Sequence, residues 1–381
     1  MINILYIAKP DDPVDSKWYN FFSNEQNNEF NVYLTFENMN GEFNYNTVRP
    51  KLLTSNVQLL PPFSPFSFKN PLKSFKTINL INDYIRIYKI QILHILYTMP
   101  DAIWLNFIRN IKTILSTQGT DVLVTLPSLF REKKKFNIKS LLLFYLLQRA
   151  FCKANYVTST SNIQVEYIYK FFKIRSHLIR TGIDIREVIN KNNEKLLPKL
   201  LKERPYIFFP RFLFPIYNHE LEILSLKLLE EHIVQKFTFV FVRHISPDKE
   251  YESKIINSLN EIKGINYLIL DFMDKNMFST LIKNMTLGIM IPITDGTPSS
   301  ALEAMTLGKP IILGTADYDD EIFSNACLKL TKNDPLQLAH LINLAIINYP
   351  SQLLETAKIR VKKFADRFEQ MMKLKQLYLT N

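Results

Sequence analysis

Two acidic residues flank a short loop in the second half of the chain. Residues 294–305 read TDGTPSSALEAM and connect an apolar strand to a helix. Free backbone N–H groups and the positive end of the dipole at such a helix start favour an anion such as phosphate, and Gly296 allows close backbone approach. Asp295 and Glu303 are eight residues apart. Both carboxylates can therefore point at one ligand, and both would accept hydrogen bonds from sugar hydroxyls.

The same residues also fit a purely structural interpretation. Asp295-Gly296 is a common turn dipeptide, and Ser300-x-x-Glu303 has the spacing of a capping box, in which the glutamate reaches back to the cap N–H. The local pattern leaves a binding site and a structural motif both open.

The frame around this loop is predicted by an alternation of short apolar runs with helical patterns. This alternation indicates an α/β protein with two doubly wound parallel sheets, and ligands bind at the carboxyl ends of strands in such sheets. We expect a first domain over residues 1–185, a linker over 186–204, a second domain over 205–355, and a C-terminal helix over 356–381 that packs back towards the first domain. Residues 46–80, rich in Pro, Ser and Phe, are expected to be irregular.

Composition supports a folded protein of two domains. The chain has 381 residues, of which 47% are hydrophobic and 22% charged, which is typical of globular proteins. Two cysteines, Cys152 and Cys327, are too few for a disulfide framework or a cysteine zinc site and suit a reducing compartment. We therefore expect a cytoplasmic protein without a signal peptide or a membrane-spanning segment.

Positive charge is concentrated in one part of the chain. The net charge is +11, and residues 51–190 contain 20 basic and 7 acidic side chains. The densest cluster, Lys133, Lys134 and Lys135, stands beside Phe136 and Ile138. Such a mixture predicts peripheral contact with an anionic membrane, and a solvated loop before a core helix is the alternative. Nucleic acid is not expected as a partner, because no nucleic-acid-binding module is recognisable.

The run TDGTPSSALEAMTLGKPII at 294–312 resembles the donor-binding signature of family-four glycosyltransferases, which are retaining enzymes of the GT-B fold. The resemblance implies two Rossmann-like domains that face each other across a cleft. It also implies roles for single residues. Asp295, where many members have Glu, would contact hydroxyls of the donor sugar, and Glu303 would hold the nucleotide ribose. The diphosphate would be received by the backbone of Gly296, Thr297, Pro298, Ser299 and Ser300.

Three further residues resemble functional positions of that family. Arg211 occupies the place of the arginine that binds the diphosphate, but the usual companion lysine is missing and Tyr217-Asn218-His219 lies nearby. Asp121 closes a Gly-Thr-Asp segment on the acceptor side, in which Gln118 stands where some relatives carry His. His94 resembles a histidine at the end of a strand. The structural alternatives are a solvated cation for Arg211, a turn or helix cap for Asp121 and a core histidine for His94.

The resemblance predicts an enzyme that moves a sugar from a nucleotide-diphosphate-sugar to a glycan or lipid-linked acceptor. The six histidines show no ligand spacing and no phosphate-loop, hydrolase or dinucleotide motif is present, so we expect neither a metal nor a cofactor beyond the nucleotide-sugar substrate. Two alternatives stay open. A nucleotide-sugar 2-epimerase would lack the acidic pair, and a non-catalytic partner subunit would agree with the missing lysine and with Gln118.

Overall fold

The computed structural model describes residues 1–10, 12–24, 29–38, 53–54, 56–131, 138–190 and 193–380. For residues 129–131 it describes the backbone only. The chain divides into two compact units. The first unit contains residues 1–181 and 370–381, and the second unit contains residues 182–369. No helix in these described stretches is long and apolar enough to cross a membrane.

The first unit is built on a parallel sheet with the strand order β3-β2-β1-β4-β5-β6-β7. Its central strands β1 and β4 are mostly apolar and buried, as expected for a parallel sheet covered by helices on both faces. The strands are β1 (Ile2–Ile7), β2 (Phe30–Thr35), β3 (Val57–Leu59), β4 (Ile92–Leu96), β5 (Lys112–Thr117), β6 (Tyr156–Ser159) and β7 (His177–Leu178). The helices are α1 (Ser16–Phe22), α2 (Pro71–Ile87), α3 (Thr98–Asp101), α4 (Leu126–Arg131), α5 (Ile138–Lys153) and α6 (Asn162–Phe172), with a 3-10 turn at Ala102–Phe107 and a π turn at Asp121–Thr125.

The second unit repeats this plan with the strand order β10-β9-β8-β11-β12-β13, again all parallel. Its strands are β8 (Tyr206–Phe212), β9 (Thr238–Val242), β10 (Asn266–Leu270), β11 (Leu287–Met290), β12 (Ile311–Leu313) and β13 (Leu328–Lys329). Its helices are α7 (Ile185–Asn190), α8 (Lys199–Glu203), α9 (His219–Leu226), α10 (Glu231–Lys236), α11 (Lys249–Asn260), α12 (Lys275–Asn284), α13 (Ser299–Thr306), α14 (Asp320–Phe323), α15 (Pro335–Asn348) and α16 (Ser351–Phe364). Two parallel sheets with crossover helices confirm the predicted α/β class.

The segment that the sequence indicates as a linker is folded into the second unit. Residues 186–204 contain most of α7, a 3-10 turn at Glu194–Leu196 and α8. Val188, Leu197 and Leu201 are buried in the core of that unit. These three apolar residues attach the segment to the core, and the Asn- and Lys-rich composition of the segment hid this signal.

The last helix, α17 (Arg367–Leu379), contributes mainly to the first unit. Met371, Leu374 and Tyr378 pack in its core against Tyr6 and Trp18. The preceding helix α16 instead packs on α13 and α14 in the second unit. The helical region expected over 356–381 is therefore shared between the units, with the division at residue 370.

Gly182 marks the beginning of the second unit. It has a φ of +60°, and a Cβ at this position would lie 2.6 Å from the carbonyl oxygen of Ala365. Ile183 donates its N–H to that same carbonyl at 2.9 Å, and Arg367 donates to the carbonyl of Ile183 at 2.9 Å. The close approach of these two chain segments explains why a glycine is needed there.

Candidate functional site

The loop between β11 and α13 is held on both sides by hydrogen bonds that involve its backbone. Ile293 donates its N–H to the carbonyl of Ile216 at 2.9 Å, in the segment after β8. Asp319, after β12, donates its N–H to the carbonyl of Gly296 at 3.0 Å. The loop thus has a fixed shape at the carboxyl edge of the sheet, which is where open α/β sheets bind ligands.

The start of α13 does not form a capping box. The residue before the helix is Pro298, and Ser300 lies inside the first turn with its hydroxyl 3.2 Å from the sulfur of Met290. Glu303 is buried, and its Oε2 accepts a hydrogen bond from the Ser279 hydroxyl at 3.4 Å. The capping-box interpretation is therefore wrong, because Ser300 occupies the wrong position of the helix.

Arg211 and Asp295 form an ion pair between the end of β8 and the loop after β11. The two side chains are only 19% and 18% exposed, and the Arg211 guanidinium lies over the Tyr217 ring, 5.3 Å from its centroid. Burial lowers the pKa of Arg211, although Tyr217 and Tyr318 oppose this effect. Arginine nevertheless keeps its charge, because its ordinary pKa is above 12. The solvated-cation alternative for Arg211 does not fit this burial.

Two buried polar atoms near the pair lack a protein partner in the part of the chain that the structure describes. They are Nε of Arg211 and the hydroxyl oxygen of Thr297. Buried polar groups are nearly always hydrogen-bonded in folded proteins. Donors on both β8 and the loop are therefore available to an anion placed beside Arg211 and the start of α13.

His219 supports the strand end that carries Arg211. Its Nδ1 lies 2.6 Å from Oε2 of Glu222 and its Nε2 lies 2.9 Å from the carbonyl oxygen of Phe212, the residue after Arg211. Burial lowers the pKa of His219, but the Glu222 carboxylate and the Phe212 carbonyl outweigh it and leave the pKa above its ordinary value. The contact of His219 with the Phe212 carbonyl holds the strand end next to Arg211 and so positions Arg211.

Asp121, predicted as the acceptor-side titratable group, is fully buried in the first unit. Its Oδ1 accepts backbone N–H bonds from Gln118, Gly119 and Val122 at 2.9–3.0 Å. Its Oδ2 accepts from the backbone and the hydroxyl of Thr98 at 3.0 and 2.9 Å. Since five donors occupy both oxygens, Asp121 holds the turn after β5, and this geometry favours the turn alternative over a general base.

His94 is likewise fully buried, and its ring nitrogens have protein partners. Nδ1 lies 2.6 Å from the Tyr378 hydroxyl and Nε2 lies 2.6 Å from the Ser116 hydroxyl. Burial lowers the pKa of His94 to about 3, so the ring is neutral. Tyr378 also lies 2.6 Å from the Tyr6 hydroxyl. The network attaches α17 to the sheet, which agrees with the core-histidine alternative and not with contact to a substrate.

Asp15 is a titratable residue that no sequence motif indicates. It is buried just after the loop that follows β1, and its Oδ2 accepts the backbone N–H of Lys9 at 2.9 Å. Burial, followed by repulsion from Asp12, raises the pKa of Asp15 to about 7. Asp121 adds to this repulsion. The signal available in the sequence was an acidic residue shortly after the first strand, at the edge where ligands bind.

Glu37 and Asp101 form a second acidic feature of the first unit. Their carboxyl groups are hydrogen-bonded to each other, and burial raises the pKa of both. A shared proton explains how two carboxyls lie together at neutral pH. The predicted membrane cluster Lys133, Lys134 and Lys135 lies outside the described residues.

Comparison with known proteins agrees with this architecture. Residues 191–371 match the family model of the glycosyl transferases group 1. A glycosyltransferase from Rickettsia africae ESF-5 superposes with a TM-score of 0.77 at 15% identity, covering 99% of this chain and 97% of the other. HepE from Anabaena, solved in complex with UDP-glucose, gives 0.69 at 13% identity with 99% of each chain covered. Sucrose-phosphate synthase from Thermosynechococcus elongatus gives 0.74 at 12%, covering 99% and 98%.

The structural likeness shows the GT-B fold, and residues 191–371 match the glycosyl transferases group 1 family model. The matched region lies almost wholly in the second unit and contains Arg211, Asp295 and Glu303. No curated protein sequence matches the chain. Across the described stretches, no group of three or more His, Cys, Asp and Glu side chains is arranged to hold a metal ion.

Proposed function

We propose that the protein transfers a sugar from a nucleotide-diphosphate-sugar to a glycan or lipid-linked acceptor, with retention of anomeric configuration and without a metal ion. The observation that carries the proposal is the Arg211–Asp295 ion pair at the start of α13. A cation, a carboxylate and a helix start at one sheet edge are the groups that a sugar diphosphate needs.

The ion pair suggests how the donor is bound. A diphosphate beside α13 would replace Asp295 as the partner of Arg211 and would use the unpartnered Nε. The Asp295 carboxylate would then accept hydrogen bonds from the donor sugar. The diphosphate also gains from the positive end of the helix. Glu303, which lies one turn further along α13, would accept hydrogen bonds from the ribose hydroxyls.

The transfer step needs no nucleophile from the protein. The bond between the anomeric carbon and the diphosphate oxygen breaks, and the acceptor oxygen forms a bond to that carbon on the same face. The acceptor proton passes to the departing diphosphate. Arg211 and the α13 N–H groups stabilise the charge that develops on the leaving group, which is the role a metal fills in other enzymes.

The acceptor side is assigned to the first unit. With Asp121 and His94 engaged in structural hydrogen bonds, Asp15 is the described carboxyl after β1 whose pKa lies near neutrality. We assign Asp15 to the recognition of an acceptor hydroxyl. We also keep the proposal that the basic part of this unit meets an anionic membrane at the cytoplasmic face, since a lipid-linked acceptor would be presented there.

The experiment is a donor screen with purified protein. UDP-, GDP- and ADP-sugars are incubated without metal, and nucleoside diphosphate release is measured with and without a glycan acceptor. UDP-glucose is the first donor to test, because HepE was solved with it. Slow release that an acceptor accelerates supports the transferase. Free epimer would favour the 2-epimerase, and no turnover with any donor would favour a non-catalytic partner subunit.

Two variants make the screen specific to the proposed site. Arg211→Met removes the cation at the carboxyl end of β8. Arg204→Met is the matched control, because Arg204 precedes the other end of the same strand and donates to the Lys236 carbonyl. Turnover that Arg211→Met abolishes and Arg204→Met keeps supports the assignment. Equal turnover in both variants would move the diphosphate site elsewhere.

A further inference from the structure

Helix α5 exposes a complete apolar face. Ile138 is 78% exposed, Leu141 56%, Leu142 43% and Tyr145 56%. These residues are spaced at i, i+3, i+4 and i+7, so at about 100° per residue they lie within one stripe roughly 100° wide. An exposed apolar stripe of this regularity marks an interaction surface, whereas single exposed apolar residues carry no such meaning.

The opposite face of α5 is already used by the core. Leu147, Ala150 and Phe151 are buried and pack in the first unit. The helix is therefore held in place by this inner face, and the apolar residues of the outer stripe are not needed to attach it. A helix with one face for its own fold and a second apolar face for something else is expected to have a second partner.

The same side of the first unit is basic. Arg149 follows Tyr145 by four residues and continues the outer stripe by one turn. Arg109 and Arg149 are close enough to Lys153 to lower its pKa, after the larger effect of burial. Residues 102–154 contain nine Lys and Arg side chains and two acids, Asp121 and Glu132. Helix α5 itself contains three cations, Lys139, Arg149 and Lys153, and no acidic residue, so positive charge adjoins the apolar stripe.

We propose that the outer face of α5 is a docking surface for an anionic lipid bilayer. Ile138, Leu141, Leu142 and Tyr145 would enter the boundary between headgroups and acyl chains, while Arg149 and the neighbouring cations contact lipid phosphates. An anionic bilayer attracts this positively charged helix, whereas a second copy of the basic chain would repel it. Aliphatic side chains also suit acyl chains and offer nothing to nucleobases. This inference deepens the membrane contact proposed above but depends on residues other than Lys133–Lys135.

The first test is flotation with vesicles of phosphatidylcholine and phosphatidylglycerol, and of phosphatidylcholine alone. The double variant Leu141→Asp/Leu142→Asp removes two inserted side chains. Leu336→Asp/Ile347→Asp, on α15 of the second unit, is the matched control, because it changes two exposed apolar residues, at 66% and 80% exposure, and the same net charge. Partition to anionic vesicles should fall about 100-fold for the α5 variant, at roughly tenfold per leucine. The control variant should stay within about threefold of the wild type.

The second test reports insertion directly. Both tryptophans of the chain, Trp18 and Trp104, are buried, so Tyr145→Trp adds one exposed reporter whose emission should shift to the blue with anionic vesicles and stay unchanged with neutral ones. Donor turnover of every variant is measured in parallel. Wild-type protein that binds the vesicles but turns over no donor would contradict the proposed function and would not contradict this inference.

Three results would overturn the inference. They are wild-type protein that does not float with anionic vesicles, an α5 variant that floats as well as the wild type, and a wild-type dimer that the α5 variant cannot form. The last result would assign the stripe to a second copy of the chain.

Discussion

The Arg211–Asp295 ion pair provides a quantitative test of the site. Removal of one partner from a fully buried pair costs about 3–5 kcal/mol, and an exposed pair contributes under about 1 kcal/mol. Both side chains here are about one fifth exposed. We therefore expect Arg211→Met or Asp295→Asn to lower the free energy of unfolding by about 2 kcal/mol each, because each leaves the other group poorly compensated.

The double variant should cost much less than the sum of the two. It removes both charges together, so the coupling energy from the four proteins should be about 1–3 kcal/mol. Urea unfolding is followed by far-UV circular dichroism, since Trp18 and Trp104 both lie in the first unit and their fluorescence would not follow the second. Additivity within about 0.5 kcal/mol would refute the ion pair as a coupled unit.

Three other outcomes are expected from the same structure. Asp121→Asn should lower the free energy of unfolding by about 2–4 kcal/mol in urea titrations, because an amide cannot accept all five hydrogen bonds; wild-type stability would contradict the turn-holding role. Folding raises the pKa of Asp15 from 3.8 to about 7. The contribution of the protonated Asp15 to the free energy of unfolding is therefore complete below the unfolded pKa and is lost as the pH rises to 7. Wild type should therefore lose about 2–3 kcal/mol relative to Asp15→Asn between pH 5 and pH 8, and parallel stability curves would disprove the shift. Glu303→Gln should weaken nucleoside diphosphate binding about 10- to 100-fold in calorimetric titrations through loss of a charge-assisted ribose contact; unchanged affinity would make Glu303 structural.

The α/β frame was predictable because buried parallel strands are continuous apolar runs. Ile2–Ile7, Phe30–Thr35 and Tyr206–Phe212 stand out in the sequence for this reason. The helix Pro71–Ile87 was missed inside a segment rich in proline. Its start nevertheless has a local signal, since Asn70 caps the helix through the Lys73 N–H and Pro71 occupies the first turn.

The site was predictable only in part. The motif placed Asp295 and Glu303 correctly at a loop and a helix, but the contact of Asp295 with Arg211 depends on β8 and β11 being neighbours in the sheet. No local pattern encodes that pairing. The burial of His94 depends on Tyr378, which is 284 positions away. Distant packing of this kind is invisible to spacing, so the candidates in the first unit were assigned roles that their surroundings do not support.

The turnover of Arg211→Met is the most direct test of the central claim, which is that Arg211 stabilises the leaving diphosphate of a sugar donor. The rate of diphosphate release from the best donor is measured for this variant and for Arg204→Met. The account predicts that kcat of Arg211→Met falls at least about 100-fold with a smaller change in KM, because the charge grows in the transition state. A kcat equal to that of Arg204→Met would contradict it.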